Sequence, residues 1–132
     1  MSVLVDTSVW IRFVANRAPI AAELDRLLAD DVVVGHDCVY GELLVGDRGG
    51  RAQLLSNYER MEQVQSVPHR EVVAFVRARK IHGRGIGWID AHLLASALVG
   101  GVQLWTADGP LGEIAAELGI AYHLRAPGGS RA

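Results

Sequence analysis

Short apolar runs alternate with longer amphipathic segments along this chain. Runs of three to five residues rich in valine, isoleucine or leucine predict buried strands at 3–5, 32–34, 65–67, 102–105 and 120–124. Apolar residues that recur every three or four positions predict helices at 7–14, 20–28, 37–45, 51–64, 69–81, 88–99 and 111–118, the third of them capped by Asp37. Strands that alternate with helices indicate an α/β fold with a parallel sheet covered on both faces.

The composition is that of one folded domain. The chain has 132 residues, of which 50% are hydrophobic and 21% charged, enough to bury a substantial core. We predict a single domain over residues 1–125 and a flexible tail over 126–132. A single cysteine excludes an intrachain disulfide. Since no segment has the pattern of a signal peptide or a membrane span, we expect a cytoplasmic protein.

Four of the 15 acidic residues lie where the neighbouring sequence is apolar. Asp6 and Asp108 follow predicted strands, and the carboxyl ends of parallel strands open onto ligand sites. Glu42 lies in mid-helix without a cationic neighbour one turn away, and Asp90 lies in a first helical turn beside apolar residues. A carboxylate among apolar groups is costly unless something pairs with it. These four residues are therefore candidates for one shared site.

A site of four carboxylates is typical of divalent metal binding. Without a cation the acids would repel one another and raise each other's pKa. Carboxylate oxygens favour Mg²⁺ or Mn²⁺ over zinc. A metal held this way activates a water and neutralises charge on a leaving oxygen, which is the chemistry of phosphodiester hydrolysis.

Three of the four acids also have a simpler structural interpretation. Asp6 could cap the first helix, and Asp90 could interact with the N-terminal dipole of the sixth. Asp108 could belong to a plain turn with Gly109. Glu42 has no capping role in mid-helix, so it is the strongest indication of a functional site.

The order and spacing of these acids resemble those of PIN-domain ribonucleases, in particular VapC-type toxins of bacterial toxin–antitoxin pairs. The resemblance extends from Val3 to about Leu124. The segments that carry it are 5–11 (VDTSVWI), 42–46 (ELLVG), 89–91 (IDA) with 94–97 (LASA), and 104–108 (LWTAD).

The resemblance implies both a fold and a site. The fold is a PIN-like three-layer sandwich with a central parallel sheet of strand order 3-2-1-4-5 and helices on both faces. The resemblance implies metal ligation and catalysis by Asp6, Glu42, Asp90 and Asp108. It implies supporting hydroxyl groups at Thr7, Ser8 and Thr106.

The resemblance also implies an activity and partners. It implies an endoribonuclease that depends on Mg²⁺ or Mn²⁺, cleaves RNA through a metal-activated water and arrests translation. The partners implied are RNA, a VapB-type antitoxin whose C-terminal segment covers the acidic pocket, and a second copy of the chain or a hetero-oligomer with the antitoxin.

One departure concerns the segment after Asp108. Many relatives carry a further acid and an aromatic residue there, whereas this chain has Gly109, Pro110 and Leu111. The departure leaves open whether the site holds one metal ion or two.

Basic residues before Asp90 are candidate contacts to the RNA backbone. Because the net charge is −2, any attraction for nucleic acid must be local. The candidates are Arg77, Arg79, Lys80 and Arg84. Cations that favour the helix dipole at a solvated helix end are the competing interpretation.

Other residues near the motifs receive structural interpretations. Trp10, Trp88 and Trp105 each adjoin an acidic motif, and we interpret them as core or interface packing rather than base-stacking residues. His36 has no metal-ligand spacing.

Two alternative functions follow from the same pattern. The first is a phosphate-transferring enzyme, which the sequence disfavours. A haloacid-dehalogenase-like phosphatase has a second Asp at the position that Ser8 occupies here, and a response-regulator receiver has an acidic pair beside Asp6 that this chain lacks. A catalytically weak or inactive PIN-like binding module, whose acidic pocket accepts a partner's arginine, differs from the nuclease only in metal binding and turnover.

Overall fold

The computed structural model describes residues 1–124, so the predicted tail at 126–132 lies outside the described residues. The elements in chain order are β1 (Val3–Val5), α1 (Thr7–Val14), α2 (Ile20–Ala29), β2 (Val33–Val34), α3 (Asp37–Val45), α4 (Ala52–Glu59), α5 (His69–Arg79), α6 (Trp88–Gly100), β3 (Gln103–Trp105) and α7 (Gly109–Glu117). The predicted α/β architecture is confirmed.

The sheet is parallel and has the order β2-β1-β3. Val3 pairs with Val33 on one side and Gln103 on the other, and Val5 pairs with Trp105. All three residues of the central strand β1 are buried, which explains its continuous apolar sequence. The residue after it, Asp6, is thereby held at the carboxyl edge of the sheet.

The two outermost predicted strands do not form within residues 1–124. Instead of strands at 65–67 and 120–124, single parallel bridges join Gly35 to Gln63 and Leu104 to Ala121. Gly35 exchanges backbone hydrogen bonds with Glu62 and Val64, and Leu104 exchanges them with Ile120 and Tyr122. A single bridge is too short a contact to make a strand. The three inner strands have the predicted order, but the five-strand order 3-2-1-4-5 is not confirmed.

The fourth helix is shorter than its apolar pattern predicts. It ends at Glu59 instead of reaching residue 64. The Gly35 amide donates to Glu62 O, and the Val64 amide donates to Gly35 O, each at 2.8 Å. The backbone groups of Glu62 and Val64 are therefore bonded to Gly35, just after β2, and do not continue the helix.

The central helix α6 covers the sheet. Leu93, Leu94 and Ala97 are fully buried and belong to the main core with β1 and β3. Burial almost all round the helix explains why its sequence is apolar without a clear polar face. Within residues 1–124, no helix is long and apolar enough to cross a membrane.

Candidate active site

Asp6 lies at the end of β1 with only 4% of its surface exposed. It occupies the N-cap position of α1, but its side chain makes no capping hydrogen bond. Oδ2 instead accepts hydrogen bonds from Ser8 Oγ and Thr106 Oγ1, both at 2.7 Å. The capping interpretation of Asp6 is therefore wrong, and its carboxylate is positioned by two hydroxyl groups from separate motifs.

The hydroxyl pair also connects Asp6 to the segment after β3. Ser8 Oγ accepts from the Ala107 amide at 3.0 Å, and Thr106 Oγ1 accepts from the Asp108 amide at 3.0 Å. Each hydroxyl thus donates to Asp6 while accepting from the backbone that leads to Asp108. This double role fixes the spacing between the first and fourth acidic motifs.

Glu42 lies on α3 and is half-buried. Thr7 Oγ1, in the first turn of α1, donates to Glu42 Oε1 at 2.6 Å. This bond links a residue next to Asp6 with a helix 35 positions away in sequence. A tertiary contact therefore pairs with Glu42, which has no cationic neighbour one turn away on its own helix.

Asp90 and Asp108 lie at the starts of α6 and α7. Asp90 Oδ2 accepts from the Gly87 amide at 3.1 Å, and Asp108 Oδ2 accepts from the Leu111 amide at 3.0 Å. Both acids thus stabilise the first turn of a helix. For Asp90 this agrees with its simpler interpretation, an interaction at the N-terminus of the sixth predicted helix. Asp108 is the N-cap of α7 rather than a member of an isolated turn, and it is exposed.

The four carboxylates interact electrostatically. Burial raises the pKa of Asp90 above its usual range, although the hydrogen bond from the Gly87 amide opposes this. The negative charges of Asp6, Asp108 and Glu42 raise the pKa of Asp90 further. Three other segments of the chain therefore bring their acids within electrostatic range of Asp90.

The donor set fits a hard divalent cation in its chemistry and charge. All four candidate ligands are carboxylates, and mutual repulsion is the state that a cation relieves. Within residues 1–124, however, no three acidic, histidine or cysteine side chains already stand at the spacing of a metal-ligand cluster. The acids are close enough to repel one another but are not drawn together as ligands.

An apolar cleft opens beside Glu42. It encloses about 610 Å³ and is bounded by Ile11, Val45 and Ile89, with Thr7 and Glu42 at its polar end. Ile11 is 45% exposed and Val45 is 87% exposed. Exposed apolar side chains of this kind are typical of a protein-binding surface.

The predicted basic segment divides into two groups. Arg77, Arg79 and Lys80 are exposed at the C-terminal end of α5. Arg84 instead makes two bonds to the Glu117 carboxylate at 2.6 and 2.7 Å and reaches Glu113 at 3.4 Å. Arg84 therefore ties the loop before α6 to α7, and an RNA phosphate would have to compete with these acids.

The family of the chain is shown by its sequence. Residues 3–117 match the model of the PIN domain, so the chain belongs to the PIN-domain family. It is 44% identical over 120 residues to Ribonuclease VapC32 of Mycobacterium tuberculosis, found in two strains, with 90% of this chain and 94% of that protein covered. The resemblance drawn from the four motifs is thereby confirmed.

A solved structure supports the fold. The crystal structure of PAE2754 from Pyrobaculum aerophilum matches with a TM-score of 0.54 and covers 90% of each chain at 17% identity. At this identity the likeness shows the PIN-like fold alone.

The sequence did not predict the surroundings of two residues near the site. His36 is fully buried and caps α3, and Trp88 is 43% exposed although Trp10 and Trp105 are buried. Strand and helix patterns do not reveal either property, because both depend on which elements pack over the residue.

Proposed function

We propose that this protein is a Mg²⁺- or Mn²⁺-dependent endoribonuclease that acts as the toxin of a toxin–antitoxin pair and arrests translation by cleaving RNA. The observation that carries the proposal is that Ser8 and Thr106 hold the Asp6 carboxylate at the end of β1, while Thr7 holds the Glu42 carboxylate beside it. The 44% identity to a protein named a ribonuclease supports RNA as the substrate.

The roles proposed for the side chains follow from their contacts. Ser8 and Thr106 engage Oδ2 of Asp6, and Thr7 engages Oε1 of Glu42, so the other oxygen of each carboxylate is oriented for a ligand. Asp90 and Asp108 are held by backbone amides at helix starts. A bound Mg²⁺ or Mn²⁺ would supply a water of lowered pKa and neutralise charge on the leaving oxygen.

We propose a VapB-type antitoxin as the protein partner. The apolar cleft beside Glu42 suits an apolar segment, and the Glu42 carboxylate that lines it suits a partner's basic side chain. We further propose that the protein acts in the cytoplasm and assembles as a homodimer or as a hetero-oligomer with the antitoxin.

Cleavage by the purified protein is expected to require a divalent metal. With a structured RNA pool as substrate, Mg²⁺ or Mn²⁺ should give discrete fragments, and EDTA should abolish them because the four carboxylates then lose the cation that they hold. Fragments are followed by gel electrophoresis, and excess Mn²⁺ should restore cleavage. Undiminished cleavage in EDTA would contradict the proposal, and arginine-peptide binding without cleavage would favour the binding module.

Asp90→Asn is expected to abolish growth arrest when the protein is overexpressed in bacteria. The Asn side chain can still accept from the Gly87 amide, so α6 should start normally while the negative charge is lost. Growth curves are compared at equal protein levels with Glu71→Gln, an exposed acid of α5, as the matched control. Arrest that persists in Asp90→Asn would show that toxicity does not come from this pocket.

A further inference from the structure

Trp88 is the tryptophan that core packing fails to explain. Trp10 and Trp105 are 2% and 4% exposed, whereas Trp88 is 43% exposed at the first position of α6. An exposed indole is costly to leave in water and is often a binding residue.

The indole ring is held in place from two sides. The centroid of the His69 ring lies 5.1 Å from that of Trp88, and the His92 centroid lies 5.0 Å away in an edge-to-face arrangement. His92 is one helical turn beyond Trp88, and His69 begins α5. A ring fixed by two helices loses little conformational freedom when a ligand stacks on it.

A surface cavity adjoins the ring. It measures about 140 Å³ and is lined by Trp88 with Ile81, His82, Gly83 and Ile86, among others. Apolar walls around an exposed aromatic ring suit a flat, partly apolar group such as a nucleobase.

Three exposed basic residues adjoin this cavity in the sequence. Val76 and Ile81 line the cavity, and Arg77, Arg79 and Lys80 lie exposed between them along the chain. Aromatic rings interleaved with cations are typical of surfaces that bind single-stranded nucleic acid.

The position of Trp88 indicates which nucleotide it could contact. Residues two positions apart on a helix point to nearly opposite sides, so Trp88 and Asp90 face away from each other across the first turn of α6. A base stacked on Trp88 would therefore belong to a nucleotide outside the cleaved step.

We propose that Trp88 is a substrate-binding residue that stacks on a base of single-stranded RNA outside the cleaved step, while Arg77, Arg79 and Lys80 contact the adjoining phosphates. The inference rests on the proposed ribonuclease function and adds to it a subsite for a flanking nucleotide.

Binding without cleavage tests the stacking contact. An oligouridylate of about ten nucleotides added in EDTA should quench the intrinsic fluorescence of the wild type, because Trp10 and Trp105 are buried and Trp88 is not. Trp88→Phe should lose the quenching but retain binding of a labelled oligouridylate, measured by anisotropy. Duplex RNA of the same length should quench weakly, because its bases are already stacked.

Kinetics with substrates of different length test the flanking position. Trp88→Ala should lower kcat/KM for a long single-stranded substrate roughly tenfold, mostly through KM. It should change kcat/KM little for the shortest substrate that the wild type cleaves, and Trp88→Phe should preserve most of the activity on both. Thermal unfolding checks that each variant is folded.

The outcomes separate this inference from the proposed function. Wild-type kinetics of Trp88→Ala on the long substrate would overturn the inference, as would an equal loss on both substrates, which would indicate a structural role. Weakened binding of an antitoxin segment with unchanged RNA cleavage would assign Trp88 to a protein interface and also overturn it. If RNA quenches the fluorescence but the protein cleaves no RNA, the proposed nuclease function is contradicted while the stacking contact of Trp88 is still supported.

Discussion

Asp6→Asn is expected to reduce RNA cleavage at least about a hundredfold, which corresponds to about 2.7 kcal/mol in the activation barrier. Asp6 is the most buried of the four acids and lies at the centre of the hydroxyl pair from Ser8 and Thr106. An amide oxygen can accept both hydroxyl hydrogen bonds, but the amide nitrogen then takes the place of the second carboxylate oxygen and cannot bind a cation. Activity should therefore fall without loss of the fold.

The measurement is the initial rate of RNA cleavage in saturating Mn²⁺, with the unfolding midpoint recorded for each protein. Asp25→Asn is the matched control, because Asp25 is an exposed acid on α2, away from the site. It should cleave at the wild-type rate. Equal rates for wild type and Asp6→Asn would contradict both the role of Asp6 and the nuclease proposal.

The sequence predicted the parts of the site that depend on local pattern. Asp6 follows an apolar strand, and Glu42 stands alone on an apolar helix, so both could be singled out before any contact was known. The bond from Thr7 to Glu42 joins residues 35 positions apart and could not be read from spacing. The resemblance to the PIN family supplied Thr7 as a supporting residue, and the structure shows which carboxylate it contacts.

The simpler interpretations of the acids could be separated only in three dimensions. Asp6 stands at an N-cap position yet makes no capping hydrogen bond, and its Oδ2 instead accepts from the hydroxyl groups of Ser8 and Thr106. Asp108 makes a cap that the sequence assigned to a turn. The same residue type in similar sequence positions thus takes different roles according to the partners that tertiary packing brings.

The errors in the predicted fold occur at edges. The segments 65–67 and 120–124 were predicted as strands, but within residues 1–124 the margins of the sheet carry single bridges from Gly35 to Gln63 and from Leu104 to Ala121. Arg84 likewise belongs to a basic segment in sequence but is bound by Glu113 and Glu117 in the structure. Local pattern cannot anticipate competition between long-range partners.

The start of α3 depends on a buried histidine, and the predicted Asp37 cap is wrong. His36 Nδ1 accepts from the Cys38 amide at 2.9 Å, so the ring proton lies on Nε2 and is donated to Ser96 Oγ, also at 2.9 Å. The His36 amide donates to the Tyr58 hydroxyl at 2.9 Å. His36 therefore joins α3, α4 and α6 and sets the position from which α3 presents Glu42.

His36→Ala is expected to lower the free energy of unfolding by about 3 kcal/mol, because it removes a helix cap and leaves the buried Ser96 hydroxyl without its donor. Urea titration monitored by circular dichroism measures the change. His36→Asn is the matched variant, since its side-chain oxygen can still accept from the Cys38 amide, and it should fall between wild type and His36→Ala. Equal stability of all three proteins would show that the histidine contributes nothing to the start of α3.

The same contacts predict how stability depends on pH. Burial lowers the pKa of His36 below its usual range, although the charge of Asp37 opposes the shift. In the unfolded chain, His36 therefore binds a proton near pH 6.5, whereas in the folded protein it binds one only at lower pH. Protonated Nδ1 could no longer accept from the Cys38 amide. The stability that neutral His36 contributes is complete above that pH and falls as the pH decreases below it. Urea titrations between about pH 7.5 and pH 5 should show a larger loss for wild type than for His36→Asn, and parallel curves would contradict the assignment.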